Sequence, residues 1–140
     1  MYEKILVSID DNEISLKALA HAVRLAKASG AVLFTLYIIK PDNTGRGAEN
    51  AGEKTGAETS AYLPALKKKL EEYLPGLTQD NNFIIRQGKN IANIIAVAAD
   101  ELECDLIVLG SRRLPGARSV IARSVTNAVI SLCQKPVLIV

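Results

Sequence analysis

The sequence predicts an α/β fold of the doubly wound kind: an open parallel five-stranded sheet with helices on both faces. Three observations predict it. Five short runs rich in Val, Ile and Leu recur along the chain, and amphipathic helical patterns separate them in strict alternation. None of the runs alternates cleanly between apolar and polar residues, as expected of strands buried on both faces. Strand and helix in alternation call for parallel neighbours joined by right-handed crossovers.

The first strand is KILVSID (4–10), closing on the acidic pair Asp10-Asp11. Ala18, Leu19, Ala22, Val23 and Ala26 then recur at helical period and form one apolar stripe. Strand two is AVLFTLYII (31–39). After it, residues 41–58 hold four glycines and no large apolar residue, so they supply no core. A flexible loop is expected there, with a lid over a ligand as the alternative. Leu63, Leu66, Leu70 and Tyr73 mark helix two, NFIIRQ (82–87) strand three, and Ile91, Ile94, Ile95, Ala98 and Leu102 helix three. DLIVLG (105–110) is strand four, Val125, Ala128, Val129 and Leu132 the face of helix four, and PVLIV (136–140) strand five. With 49% hydrophobic and 23% charged residues and no internal repeat, 1–140 is expected to be one domain.

The charge balance excludes several functions. A formal charge of +2 creates no global field toward nucleic acid or membrane. The run Lys67-Lys68-Lys69 is followed by Glu71-Glu72, so Lys67 with Glu71 and Lys68 with Glu72 stand at i,i+4 spacing and read as a solvated helix face. No nucleic-acid and no membrane partner is expected. The start, MYEKILVSID, carries Glu3 and Lys4 and reads as neither signal nor span, so a cytoplasmic protein is expected. Cys104 and Cys133, in predicted helical segments with no CxxC spacing, read as buried free thiols.

Catalytic machinery is sparse. Asp10-Asp11 after a first strand suits a phospho-acceptor receiver, but strand three runs into Arg86-Gln87-Gly88 with no acceptor Asp, and Lys135-Pro136 precede the last strand rather than follow it. No HxGH, Ser-Gly-Gly or Walker loop occurs. His21 shares a helix face with Lys17 and Arg24 and reads as a surface residue. No catalytic residue and no metal ligand is assigned.

In such a sheet, ligands bind beyond the carboxyl ends of the strands, where strand order reverses. Alternation leaves the order open; an order of 3-2-1-4-5 would set Ile9-Asp10-Asp11 against Gly110-Ser111-Arg112 across a crevice. The segment 110–129, GSRRLPGARSVIARSVTNAV, holds Arg112, Arg113, Arg118 and Arg123 and no acidic residue. With Ser124 as helix N-cap it forms an anion site; alternatively it is a solvated basic turn.

The chain, through ILVSIDDNEIS with Ala18-Leu19, DLIVLGSRR and SVTNAVISLCQKPVLIV, resembles the universal stress protein family. The resemblance implies strand order 3-2-1-4-5 in an adenine nucleotide alpha hydrolase-like fold, a homodimer, and ATP or AMP held by a G-x2-G-x9-G-[ST] loop, with Mg2+ only alongside the nucleotide. It implies a site drawn from Ser8, Ile9, Asp10, Ile38, Leu109, Gly110, Arg112, Arg113, Arg123, Ser124, Val125 and Thr126, with Asp10 on the nucleoside and a backbone contact near Ile38 to the base. Gly110 and Ser124 match the loop, while Arg113 and Arg123 stand at its two other glycines and Asp11 where relatives commonly carry glycine. Bulky side chains there reshape a cradle built for close backbone approach, so ATP binding is expected to be weak or lost. A nucleotide-dependent switch or slow ATPase, and a protein-interaction module with a vestigial site, are the alternatives. The apolar Val137–Val140 strand, on a sheet edge in this order, invites pairing with a second copy.

Overall fold

The computed structural model describes residues 1–10, 13–41, 63–111 and 118–140, excepting the side chains of 79 and 118–124. The loop expected over 41–58 lies, beyond Pro41, outside them, as do Asp11, Arg112 and Arg113. In chain order the elements are β1 (Lys4–Ile9), α1 (Glu13–Ser29), β2 (Val32–Ile39), α2 (63–73), β3 (Phe83–Gln87), α3 (Ile91–Glu101), β4 (Leu106–Leu109), α4 (Arg118–Leu132) and β5 (Val137–Ile139). The sheet order is β3-β2-β1-β4-β5 and every neighbouring pair is parallel. The predicted architecture and order are therefore present.

Two apolar layers close on the sheet. Ile5, Val7 and Ile9 of β1 point into one core with Ala18, Leu19 and Ala22 of α1 and Leu66 and Leu70 of α2. The intervening Leu6 enters the other with Ile95, Ala98 and Ala99 of α3 and Val129 of α4. Central β4 is buried at every residue, which explains why its sequence does not alternate. The edges behave differently: β3 and β5 contain exposed residues, so the expectation of two-sided burial holds only for the middle of the sheet. Tyr73 and Leu132, expected on apolar helix faces, are exposed because each lies in the last turn of its helix, past the sheet it packs on.

Both α1 and α3 stop in the same way. Gly30 takes φ 71°, and the Ala31 N–H returns to the Ala26 carbonyl at 3.0 Å. After α3, Glu103 takes φ 56° and the Cys104 N–H returns to the Ala99 carbonyl at 2.8 Å. These stops correct the cysteine assignment: Cys104 follows the α3 turn and Cys133 directly follows α4, neither inside a helix. Both thiols are free, Cys104 buried and Cys133 half-buried. At its start, α3 is capped by Asn90, whose side chain accepts the Asn93 N–H at 3.1 Å.

The ion pairs also differ from expectation. No Lys67–Glu71 pair forms among the described residues, because the Glu71 carboxylate instead accepts the Gly76 and Thr78 N–H groups, each at 2.7 Å, and the Thr78 hydroxyl. Those bonds, the Thr78 hydroxyl first, hold the Glu71 carboxyl below its usual range. At the amino ends of the strands, Asp105 accepts the Glu3 N–H at 2.8 Å and the Lys4 N–H at 3.1 Å, which lowers its pKa. Lys4 in turn pairs with Glu103 at 3.0 Å.

Candidate nucleotide crevice

Strand order reverses between β1 and β4. The chain leaves β1 for β2 and β3 on one side, then crosses by α3 to β4 and β5 on the other. The crevice is thus framed by the carboxyl ends Ile9-Asp10 and Leu109-Gly110, the two segments that the sequence placed opposite each other.

At the β1 wall the ladder runs out early, at Val7↔Val108 toward β4 and at Ile9↔Tyr37 toward β2. Just past it, the Asp10 backbone is held by a side chain. Ser15 Oγ accepts the Asp10 N–H at 3.1 Å and donates to the Asp10 carbonyl at 2.7 Å. Ser15 is buried, while Ser8 and Asp10 are half-buried. The motif that carried the resemblance contained Ser15, but spacing alone gave no reason to single it out.

The β4 wall has a steric requirement. A Cβ on Gly110 would lie 3.1 Å from Ile14 Cγ2, 3.2 Å from the Ile14 oxygen and 3.3 Å from its carbonyl carbon. Gly110 lies outside the positive-φ region, so what favours glycine here is room and not dihedral freedom. Beyond it, the Ser111 N–H bonds the Val140 carbonyl at 2.8 Å and the Val140 N–H bonds the Leu109 carbonyl at 2.9 Å.

Ile9, Ile38 and Leu109 are core residues, 3%, 8% and 5% exposed, so their side chains serve packing and only backbone is available to a ligand. Ile38 is well placed for that. The Val32 N–H bonds Glu3 and the Thr35 N–H bonds Asn82, so even-numbered residues of β2 turn their polar groups toward β1. The last ladder pair, Ile9↔Tyr37, uses the Ile38 N–H, so it is the Ile38 carbonyl that faces the place where β1 has stopped pairing.

The phosphate side departs from the sequence expectation. Ser124 is not an N-cap: α4 already begins at Arg118, so Ser124 lies about 9 Å further along the axis at 1.5 Å per residue. The physical reason is local sequence. Residues 118–124, RSVIARS, contain neither Gly nor Pro, and nothing in them stops a helix. Arg123 and Ser124 are helical, and the half-buried Val125 and Thr126 continue the same helix, with Val125 packed on the α3–α4 core. Asp10, Ile38 and Gly110 meet at the carboxyl end of the sheet, whereas a hydroxyl-capped helix start at Ser124 does not form.

The nucleoside half of an adenine nucleotide fits these residues, since a carboxylate and strand-end backbone groups suit ribose hydroxyls and a base edge. On the phosphate side, Arg113 and Arg123 stand where the family loop has glycine, and residues 112–117 lie outside the described residues. No cluster of three or more His, Cys, Asp or Glu able to hold a metal occurs among the described residues, and no described helix is long and apolar enough to cross a membrane.

Comparison with known proteins agrees with this fold. The family model of the universal stress protein family matches residues 1–140. A universal stress protein of Methanocaldococcus jannaschii is 30% identical over 145 residues, covering 100% of this chain and 82% of the relative. Universal stress protein UspA from Lactobacillus plantarum superposes with TM-score 0.73 at 25% identity, covering 99% of this chain and 97% of that one. A universal stress protein crystallised in complex with cAMP superposes with TM-score 0.68 at 24% identity, covering 99% and 97%.

Proposed function

Because this chain belongs to the universal stress protein family, we propose that it is a cytoplasmic ligand-binding module of the stress response that keeps the nucleoside half of an adenine-nucleotide site and has altered the phosphate half. It binds ATP weakly or not at all, and Mg2+ enters only with nucleotide. The observation that carries this reading is the early start of α4. A glycine at 123 would cost about 1 kcal/mol inside a helix, so it favours a start at Ser124, whose hydroxyl and free N–H groups then meet an anion. Arginine is a good helix former. With Arg123 in that place the helix runs on to Arg118 and the anion-binding end is displaced. The cAMP complex of a relative of the same fold supports the nucleoside half.

The proposed role is binding, because the sequence carries no HxGH, Ser-Gly-Gly or Walker loop. Dimerisation is proposed through the β5 edge, where Leu138 and Ile139 are 36% and 43% exposed at the end of the sheet. Light scattering at micromolar concentration is expected to show a dimer; a monomer removes that part of the proposal.

The test is calorimetric titration of the chain with ATP and AMP, with and without Mg2+, beside an Arg113→Gly/Arg123→Gly variant. Weak or absent ATP binding that the double variant strengthens supports the proposal. Tight ATP binding by the native chain that the variant loses means that the arginines ligate phosphate. If neither binds any adenine nucleotide, the crevice is vestigial and the protein is an interaction module.

A further inference from the structure

The first turn of α1 touches both walls of the crevice. Ser15 holds the Asp10 backbone at two points, and the preceding residue, Ile14, sits so close to Gly110 that an added methyl would crowd it at 3.1–3.3 Å. Asp10 lies past the last ladder pair on either side, so pairing within the sheet does not impose its orientation. One hydroxyl that both accepts from its N–H and donates to its carbonyl restricts φ and ψ at Asp10, which fixes where its Cβ leaves the backbone and limits the rotamers open to the carboxylate.

We propose that Ser15 is a positioning residue of the nucleoside site: its hydroxyl sets the backbone of Asp10 and so aims the carboxylate, while the seat of Ile14 on Gly110 keeps the α1 turn at the height that this requires. The inference rests on the reading of Asp10 as the nucleoside-binding carboxylate. Ser15 itself, 5% exposed, does not reach the ligand.

A double-mutant cycle tests it, with AMP as the titrant and melting temperature recorded for every variant. Ser15→Ala is expected to weaken AMP about tenfold, the loss that follows when a hydrogen bond to a charged group is misaligned. Asp10→Asn is expected to lose a similar factor, and the double variant no more than Asp10→Asn alone. Ser15→Cys, which preserves the packing but bonds weakly, is expected to behave like Ser15→Ala and serves if that variant does not fold. Independent, multiplying losses, or Ser15 variants that bind AMP like the native chain, overturn the positioning role and leave the nucleoside reading standing. A native chain that binds no AMP overturns both.

Discussion

Replacing Gly110 by alanine tests whether the crevice wall is as tight as its distances imply. The added methyl would meet Ile14 Cγ2 at 3.1 Å, the Ile14 oxygen at 3.2 Å and its carbonyl carbon at 3.3 Å, where carbon contacts are most favourable at about 3.5–4.0 Å. The side-chain carbon can rotate away. The carbonyl belongs to the α1 backbone, which Ser15 ties to Asp10, so relief requires the helix start to move by a few tenths of an ångström. Overpacking of this kind costs about 1–3 kcal/mol, and the smaller conformational freedom of alanine in the unfolded chain returns about 0.4–1 kcal/mol. A net loss of about 1 kcal/mol, or about 3–4 °C in melting temperature, is expected by calorimetry. Gly88→Ala is the control. Its methyl would approach Ile94 Cδ1 even more closely, at 2.6 Å, yet that atom is the end of a flexible side chain, so the cost is expected to be smaller. The reasoning fails if Gly110→Ala melts at or above the native temperature, or if Gly88→Ala proves the more damaging of the two.

Three other outcomes follow from single groups. Thr35 is 1% exposed and its hydroxyl has no hydrogen-bond partner among the described residues, so Thr35→Val is expected to raise stability by about 1 kcal/mol in urea denaturation, the opposite sign to most core substitutions. Burial pushes the Cys104 thiol up to about 11, so a disulfide-exchange reagent at pH 8 is expected to label half-buried Cys133 first and Cys104 only as the chain unfolds; equal rates refute this. Glu71, held by Thr78 and Gly76, Glu103, held by Lys4, and Asp105, held by the Glu3 and Lys4 amides, all have folded pKa values below their ordinary 4.5, 4.5 and 3.8. A lowered carboxyl pKa contributes stability that is complete above the unfolded value and is lost as pH falls through the folded one. Urea midpoints are therefore expected to be flat above about pH 5.5 in respect of these groups and to fall below about pH 4.5. Glu71→Gln is expected to flatten part of that decline.

The fold was legible because it is written in burial. Two-sided burial of β1 and β4 forces runs such as ILV and LIVL, and one-sided burial of α1 and α3 forces stripes such as Ala18-Leu19-Ala22 and Ile95-Ala98-Ala99; either pattern survives many substitutions and can be counted in a single sequence. Strand order was not legible in that way, since alternation is satisfied by several orders, and it came instead from the family motifs. Asp10 and Gly110 could be placed at the two sides of the strand-order reversal because they end buried strands. Their partner Ser15 was missed because a hydroxyl that satisfies a backbone turn looks, in sequence, like any serine at a helix start.

The reading of Ser124 as a helix cap failed because α4 begins six residues earlier, at Arg118. A residue's fitness to cap a helix does not decide where the helix begins; the helix begins where the next residue outward can no longer continue it. Ser124 has the right hydroxyl and the right apolar face after it, but Arg123, Ala122 and Ile121 all tolerate helix, so the start moves outward to Arg118. A loop motif defined by glycines therefore specifies a helix boundary as well as a backbone cradle. Under the proposed function, arginine at 123 removes a helix stop as well as room, so Ser124 alone would not supply an anion site.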